Sequence, residues 1–210
     1  MDSIIIRQKV TAKKSFNWTI SNKKILPFII IGTIALLFGI VSPISNLIPM
    51  PEIIKKAFMD LGEGTGIFSF LLMVVVAPIL EELIFRGIIL DGLLEKYSPL
   101  KSILISSILF GIVHLNPWQF VVAVILGVFS GWIYYKTKSL PFSIIIHATA
   151  NFCGYVTRFF VDESSMDKIS VELYGGILNY ILIILTLTAI TALCVFFLRK
   201  EFKKTDISVD

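Results

Sequence analysis

Long uncharged apolar stretches alternate along this chain with short stretches that hold most of its charged side chains. A helix needs about 20 apolar residues to cross the hydrocarbon core of a bilayer, so each long stretch predicts a membrane-spanning helix. One uncharged run, residues 102–135, is long enough for two helices, and Pro117 marks a turn between them because proline interrupts helical hydrogen bonding. The pattern therefore predicts six spans, at about residues 25–48, 66–90, 102–116, 118–135, 140–159 and 175–198.

The composition favours a membrane protein over a soluble domain. Of the 210 residues, 56% are hydrophobic and 16% are charged, whereas soluble domains average about 25% charged residues. Both cysteines lie in apolar runs, which indicates packing rather than a disulfide framework. The net charge of +4 requires no nucleic-acid partner, and none is predicted. The predicted fold is all-α, a polytopic helical bundle surrounded by a lipid bilayer, and its oligomeric state stays open.

The basic residues predict how the bundle is oriented. If both termini are cytoplasmic, the segments on the cytoplasmic side hold fourteen Lys and Arg residues and the outer segments hold four. Cytoplasmic loops carry an excess of such residues, so both termini are predicted to be cytoplasmic. A short interfacial helix is predicted at residues 51–60, where apolar residues share one helical side. The predicted regions are a basic tail at 1–24, the first span and interfacial helix at 25–66, a core at 67–160, and an outer loop, last span and basic tail at 161–210.

Three charged side chains interrupt the second predicted span: Glu81, Glu82 and Arg86. A charged side chain at the centre of a membrane helix costs several kcal/mol, roughly 2.5–3.5 on insertion scales, so these residues are expected to have a function. Glu82 and Arg86 are four positions apart and share a helix face, which predicts a pair that neutralises itself. Glu81 lies about 100° further around the helix and is left to face another partner.

Further polar residues lie in the other predicted spans. The only two histidines, His114 and His147, are among them, and Asn151 shares a face with His147 just as Phe110 does with His114. Together with Glu81 they suit amide hydrolysis, because a poorly solvated carboxylate is a strong base and an imidazole shares its proton. A second imidazole and an amide group can donate to an oxyanion.

A metal site is an alternative use of the same residues. Glu81, His114 and His147 could hold a divalent metal such as zinc, with a water in the open position. The helical His-Glu-x-x-His spacing is absent, so the ligands would come from separate helices. The need for a metal cofactor stays open at this point.

Three short segments resemble the motifs of a known family. Residues 81–87 (Glu-Glu-Leu-Ile-Phe-Arg-Gly), 110–114 (Phe-Gly-Ile-Val-His) and 147–151 (His-Ala-Thr-Ala-Asn) resemble those of the CAAX-protease and bacteriocin-processing (CPBP, or Abi) family of intramembrane endopeptidases. The resemblance covers about residues 67–157 and is closest to the short bacterial members. It implies a peptide or protein substrate in the bacterial cytoplasmic membrane, in bacteriocin or peptide-signal processing or in self-immunity.

The resemblance also implies roles for individual residues. Glu81 would be the general base and would act with His114 on a water, while His147 and Asn151 would form the oxyanion site. Glu82 and Arg86 would hold the first motif in shape. Family members are described both as metal-dependent and as working without an essential metal, so the resemblance leaves the cofactor open.

Two other functions fit the same residues. In a non-enzymatic immunity or binding protein, the polar cluster would only hold the bundle together. In a small transporter, Glu81, His114 and His147 would relay protons.

The predicted spans also leave one geometric difficulty. His114 lies about 13 residues, or roughly 20 Å of helix rise, from the cytoplasmic end of its span, and His147 only about 9 Å. The two histidines can meet only if the third span is strongly tilted or its boundary is misplaced.

Overall fold

The computed structural model describes residues 2–11, 15–49, 51, 53, 66–160 and 170–207, and over these ranges the chain forms helices and turns without a strand. The predicted all-helical bundle is thus confirmed. The helices are α1 Asp2–Thr11, α2 Lys23–Ser45, α3 Ile67–Leu94, α4 Pro99–Ile112, α5 Pro117–Thr137, α6 Leu140–Thr157, α7 Ser170–Leu173 and α8 Ile177–Ile207.

Each of the six predicted spans corresponds to one helix, from α2 to α6 and then α8. Among the described residues, the helices α2, α3, α5 and α8 are long and apolar enough to cross a membrane. The chain is therefore a multi-pass membrane protein. Helix α4 has 14 residues and α6 has 18, so the count of six crossings and the cytoplasmic placement of both termini stay predictions. The interfacial helix predicted at 51–60 and most of the outer loop after residue 160 lie outside the described residues.

The turn between α4 and α5 determines where His114 lies. Helix α4 ends at Ile112, and Leu115 then adopts a left-handed backbone with φ 56°. The Asn116 side chain accepts a hydrogen bond from the backbone N–H of Gln119 at 2.8 Å, which caps the start of α5. Proline follows at the first position of α5, where its missing N–H is tolerated. The predicted turn is confirmed, and it places His114 at the end of α4.

Small residues let α4 and α5 pack closely. A Cβ added to Gly127 would lie 3.0 Å from the Cβ of Ser107, and one added to Gly131 would lie 3.1 Å from the side chain of Ile103. The two glycines are four positions apart, a spacing typical of helices that approach closely in membranes. This glycine face therefore packs inside the bundle, against α4.

Helix α1 is docked onto the C-terminal half of α3, although the sequence pattern predicted only a basic tail there. Arg7 is 3% exposed, and its Nη1 donates to the Gly87 carbonyl at 2.7 Å while its Nη2 lies 2.9 Å from Oδ2 of Asp91. Gly87 belongs to a π-helical stretch of α3, Phe85–Leu90. A Cβ on Gly87 would lie 2.6 Å from the ring of Phe16, so α1 and the segment after it rest directly on this stretch.

Candidate active site

The polar residues singled out in the sequence come together around one pocket. Helix α3 supplies Glu81, Glu82 and Arg86, α4 and the turn after it supply Phe110 and His114, and α6 supplies His147 and Asn151. The pocket has a volume of about 100 Å³, and six of these seven residues line it. Glu81 does not line it. Of the residues that the structure describes, those that line the pocket are Glu82, Arg86, Phe110, His114, Gln119, Val122, Ala123, Leu126, Ser130, Ile146, His147 and Asn151.

Glu82 contacts three other polar side chains of this pocket: Arg86, His147 and Ser130. It is 1% exposed, and its Oε2 lies 3.1 Å from Nε of Arg86, so the pair expected from the four-residue spacing is present. Its Oε1 accepts from Nδ1 of His147 at 3.1 Å, and its Oε2 accepts from the hydroxyl of Ser130 at 3.3 Å. A buried carboxylate must be paired and hydrogen-bonded to offset its lost hydration. Glu82 thus does more than neutralise Arg86, since it also orients His147.

Arg86 links α3 to both neighbouring helices. Its guanidinium is 1% exposed, donates from Nη2 to the Gly127 carbonyl of α5 at 3.2 Å, and lies 4.8 Å from the centre of the Phe110 ring of α4. Its Nη1 is buried and has no hydrogen-bond partner. Buried donors without a partner are uncommon and costly, which makes this atom available to an acceptor that enters the pocket.

The two histidines pack on the same aromatic ring. The ring centres of His114 and His147 lie 5.1 Å and 5.4 Å from that of Phe110, both in edge-on geometry. Nδ1 of His114 lies 2.8 Å from the Phe110 carbonyl oxygen. Because a carbonyl only accepts, Nδ1 carries the proton, and Nε2 of the neutral ring is left as an acceptor. The two histidines therefore both lie against the Phe110 ring, although they belong to different parts of the chain.

Glu81 lies beside His147. Its side chain is 34% exposed, while its Oε2 atom is buried, has no hydrogen-bond partner and lies 3.9 Å from Nε2 of His147. Asn151 donates from Nδ2 to the Met73 carbonyl at 2.8 Å, which ties α6 to α3. His147 thus lies between two carboxylates, with Nδ1 towards Glu82 and Nε2 towards Glu81.

The predicted metal alternative does not fit this arrangement. In the part of the chain that the structure describes, no three His, Cys, Asp or Glu side chains are grouped so that they could hold one ion. The expected ligand set of Glu81, His114 and His147 is therefore not assembled. No chemical step is derived through a metal.

Two polar lining residues, Gln119 and Ser130, were not predicted from the sequence. Ser130 lies between Gly127 and Gly131, in a stretch whose small residues indicated helix packing, yet its hydroxyl binds Glu82. Gln119 lies in the first turn of α5, next to residues typical of a membrane interface. Ser130 could have been identified from the sequence as a polar side chain on the glycine face of a membrane helix.

The comparisons with known proteins cover the middle of the chain. Residues 63–153 match the model of a family described as type II CAAX prenyl endopeptidase Rce1-like. The match contains helices α3 to α5 and most of α6, and all twelve lining residues fall within it. The site described above is thus the part of the chain that has known relatives.

Two bacterial relatives match shorter segments. A Bacillus subtilis (strain 168) protein with the provisional name membrane peptidase YdiL is 39% identical over 77 residues, which are 37% of this chain and 32% of that protein. The UPF0177 protein YxdF of Lactococcus lactis subsp. lactis (strain IL1403) is 33% identical over 81 residues, 38% of this chain and 44% of that protein. The matched part therefore spans less than half the length of each relative. No solved structure matches the chain significantly.

Proposed function

We propose that this chain, whose residues 63–153 belong to the CPBP family, is an intramembrane endopeptidase of the bacterial cytoplasmic membrane. It would hydrolyse a peptide bond in a membrane-associated peptide or protein. The observation that carries the proposal is that the Glu82 carboxylate, two imidazoles, a guanidinium and a carboxamide surround one small pocket, and that the Glu81 carboxylate lies 3.9 Å from His147 beside it. Ionisable groups inside a membrane protein are costly, and function is the usual reason for keeping them.

In the proposed reaction, Glu81 and His114 activate a water. Nε2 of His114 is free to accept because Nδ1 is engaged with the Phe110 carbonyl, and Oε2 of Glu81 has no partner. The water gives its proton to this pair and its oxygen bonds to the carbonyl carbon of the substrate. When the C–N bond breaks, the stored proton passes to the leaving amine. A pocket of about 100 Å³ holds a few waters or one peptide carbonyl, which suits this step.

His147 and Asn151 are the proposed oxyanion donors. With both ring protons in place, His147 donates from Nδ1 to Glu82 and keeps its Nε2–H for the substrate oxygen. Asn151 uses one amide hydrogen on the Met73 carbonyl and keeps the second. Donors held by other parts of the protein need no reorganisation during the reaction, which makes them effective. Glu82 is therefore a positioning residue that holds His147 in its orientation, helped by Ser130 and Arg86.

The decisive experiment compares Glu81→Gln with the parent. Purified full-length protein in lipid nanodiscs is mixed with candidate membrane peptides, and released fragments are identified by mass spectrometry. Loss of the base should lower cleavage by a factor of about 10²–10⁴ without changing the melting temperature. Glu95→Gln is the matched control, because Glu95 is an exposed carboxylate at the end of the same helix, outside the pocket.

Two outcomes would contradict the proposal. One is undiminished cleavage by Glu81→Gln, which would remove Glu81 from the reaction. The other is a loss of cleavage when a chelator is added, since the described side chains offer no ligand set for a metal.

The biological setting can be tested with the same variant. The family resemblance favours bacteriocin or peptide-signal processing or self-immunity. If Glu81→Gln protects a host from a bacteriocin as well as the parent does, immunity rests on binding and not on proteolysis.

A further inference from the structure

A second cavity of about 610 Å³ lies between α5 and α8, and it shares no lining residue with the active-site pocket. Three aromatic residues form its apolar part: Trp132 of α5 and Phe196 and Phe202 of α8. Phe202 is buried and its ring meets that of Trp132 edge-on at 5.4 Å, so this part of the wall is well packed. Phe196 is 61% exposed on the outer face of α8.

Four cations form the rest of the lining: Lys136 of α5 and Arg199, Lys200 and Lys203 of α8. All four are exposed, and among the described residues that line the cavity none is acidic. The nearby carboxylate of Glu201 is paired with Lys204, one position beyond the lining. The cavity therefore combines a strong positive charge with an aromatic wall.

We propose that this cavity binds the headgroup of an anionic phospholipid from the cytoplasmic leaflet. The four cations would bind the headgroup phosphate, and the aromatic wall would contact the glycerol and the start of an acyl chain. The cavity lies at the basic end of α8, the end that the distribution of Lys and Arg predicts to be cytoplasmic, where anionic lipids attract clustered basic residues.

A lipid fits these observations better than a soluble phosphate or an acidic peptide. Phe196 is exposed on a helix whose neighbouring apolar residues Leu193 and Phe197 are also exposed, so the cavity continues into a lipid-facing surface. A soluble anion would need only the cations and would leave the aromatic side unused. A phospholipid is charged at one end and apolar at the other, as the cavity is. This site is independent of the proposed peptidase activity.

Binding of phosphatidylglycerol and phosphatidylcholine to the purified full chain can be compared by native mass spectrometry and by thermal unfolding. The test variant is Lys200→Gln/Lys203→Gln. The control is Lys96→Gln/Lys101→Gln, which removes the same charge from the turn after α3 and the first turn of α4, outside the cavity. We expect phosphatidylglycerol to bind preferentially to the parent and the control. In the test variant, its affinity should fall roughly 30-fold, the effect of losing two cations near an anionic headgroup.

Two further measurements separate a lipid from a soluble ligand. Phe196→Ala should weaken phosphatidylglycerol binding, and glycerol phosphate alone should not raise the melting temperature of the parent. The proposal is overturned if both lysine variants lose affinity equally, or if phosphatidylcholine binds as well as phosphatidylglycerol. It is also overturned if glycerol phosphate or a soluble acidic peptide stabilises the chain as much as the lipid does.

Discussion

Replacing Arg86 with methionine should mainly lower the free energy of unfolding of the bundle, rather than slow one chemical step. Methionine roughly preserves the length of the side chain but removes the charge that faces Glu82 at 3.1 Å and the donor to the Gly127 carbonyl at 3.2 Å. Glu82, which is 1% exposed, would then be left with His147 and Ser130 as partners. Breaking one partner out of a buried ion pair costs about 3–5 kcal/mol, because the remaining charge stays buried.

The double variant Glu82→Gln/Arg86→Met tests this reasoning. Removing both charges eliminates the unpaired carboxylate, so we expect the double variant to be about 1–3 kcal/mol more stable than the sum of the two single losses. Unfolding in mixed detergent micelles, followed by circular dichroism during a titration with sodium dodecyl sulfate, measures these differences. Lys101→Met, an exposed cation on α4, is the control and should be neutral. Losses that add within about 0.5 kcal/mol would show that the two charges are not coupled, which would refute the explanation.

Three further predictions follow from other contacts. Arg7→Gln should destabilise the chain by about 1.5–3 kcal/mol, because buried Asp91 loses a charged hydrogen-bond donor but keeps Lys138 at 3.6 Å. Trypsin cleavage near the N-terminus should become faster, and equal rates in variant and parent would argue against docking of α1. Gly127→Val should lower the melting temperature, because the added side chain forces α4 and α5 apart. Gly154→Ala should leave the melting temperature unchanged, because nothing lies within 4 Å of a Cβ added there. A similar fall in melting temperature for both variants would exclude close packing as the cause. Ser130→Ala removes one of the three partners of Glu82, so it should lower the free energy of unfolding by about 1 kcal/mol and the rate of cleavage by up to about tenfold. An unchanged cleavage rate at unchanged substrate affinity would mean that Ser130 has no positioning role.

Several features of this protein could be predicted because they depend on neighbouring residues in the chain. The bounds of α2 to α6 lie within about four residues of the predicted spans, since hydrophobic length decides where a helix can lie in a membrane. Helix α8 also begins where predicted but continues to Ile207, past the predicted end at residue 198 into the basic tail. The pairing of Glu82 with Arg86 was predictable too, because residues four apart on a helix always share a face. The turn around Leu115 was predictable as well, because Pro117 interrupts helical hydrogen bonding.

The partners of Glu82 could not be predicted in the same way. His147 and Ser130 contact it from 65 and 48 positions away, and which of the two glutamates faces them depends on how α3, α5 and α6 cross. The docking of Arg7 on Gly87, over 80 positions, likewise depends on the packing of a segment whose composition indicated only a basic tail.

The amino-acid sequence by itself determined that this is a helical membrane protein with a polar cluster at its centre, because transfer of side chains to lipid is a property of each residue. Only the tertiary structure decided which side chains of the cluster contact one another. It paired His147 with Glu82, left Oε2 of Glu81 without a hydrogen bond, and brought both histidines onto the Phe110 ring. The reason is physical: spacing along one helix sets which side chains share its face, whereas the contacts between helices depend on crossing angles and close approach, which arise from packing of the whole bundle.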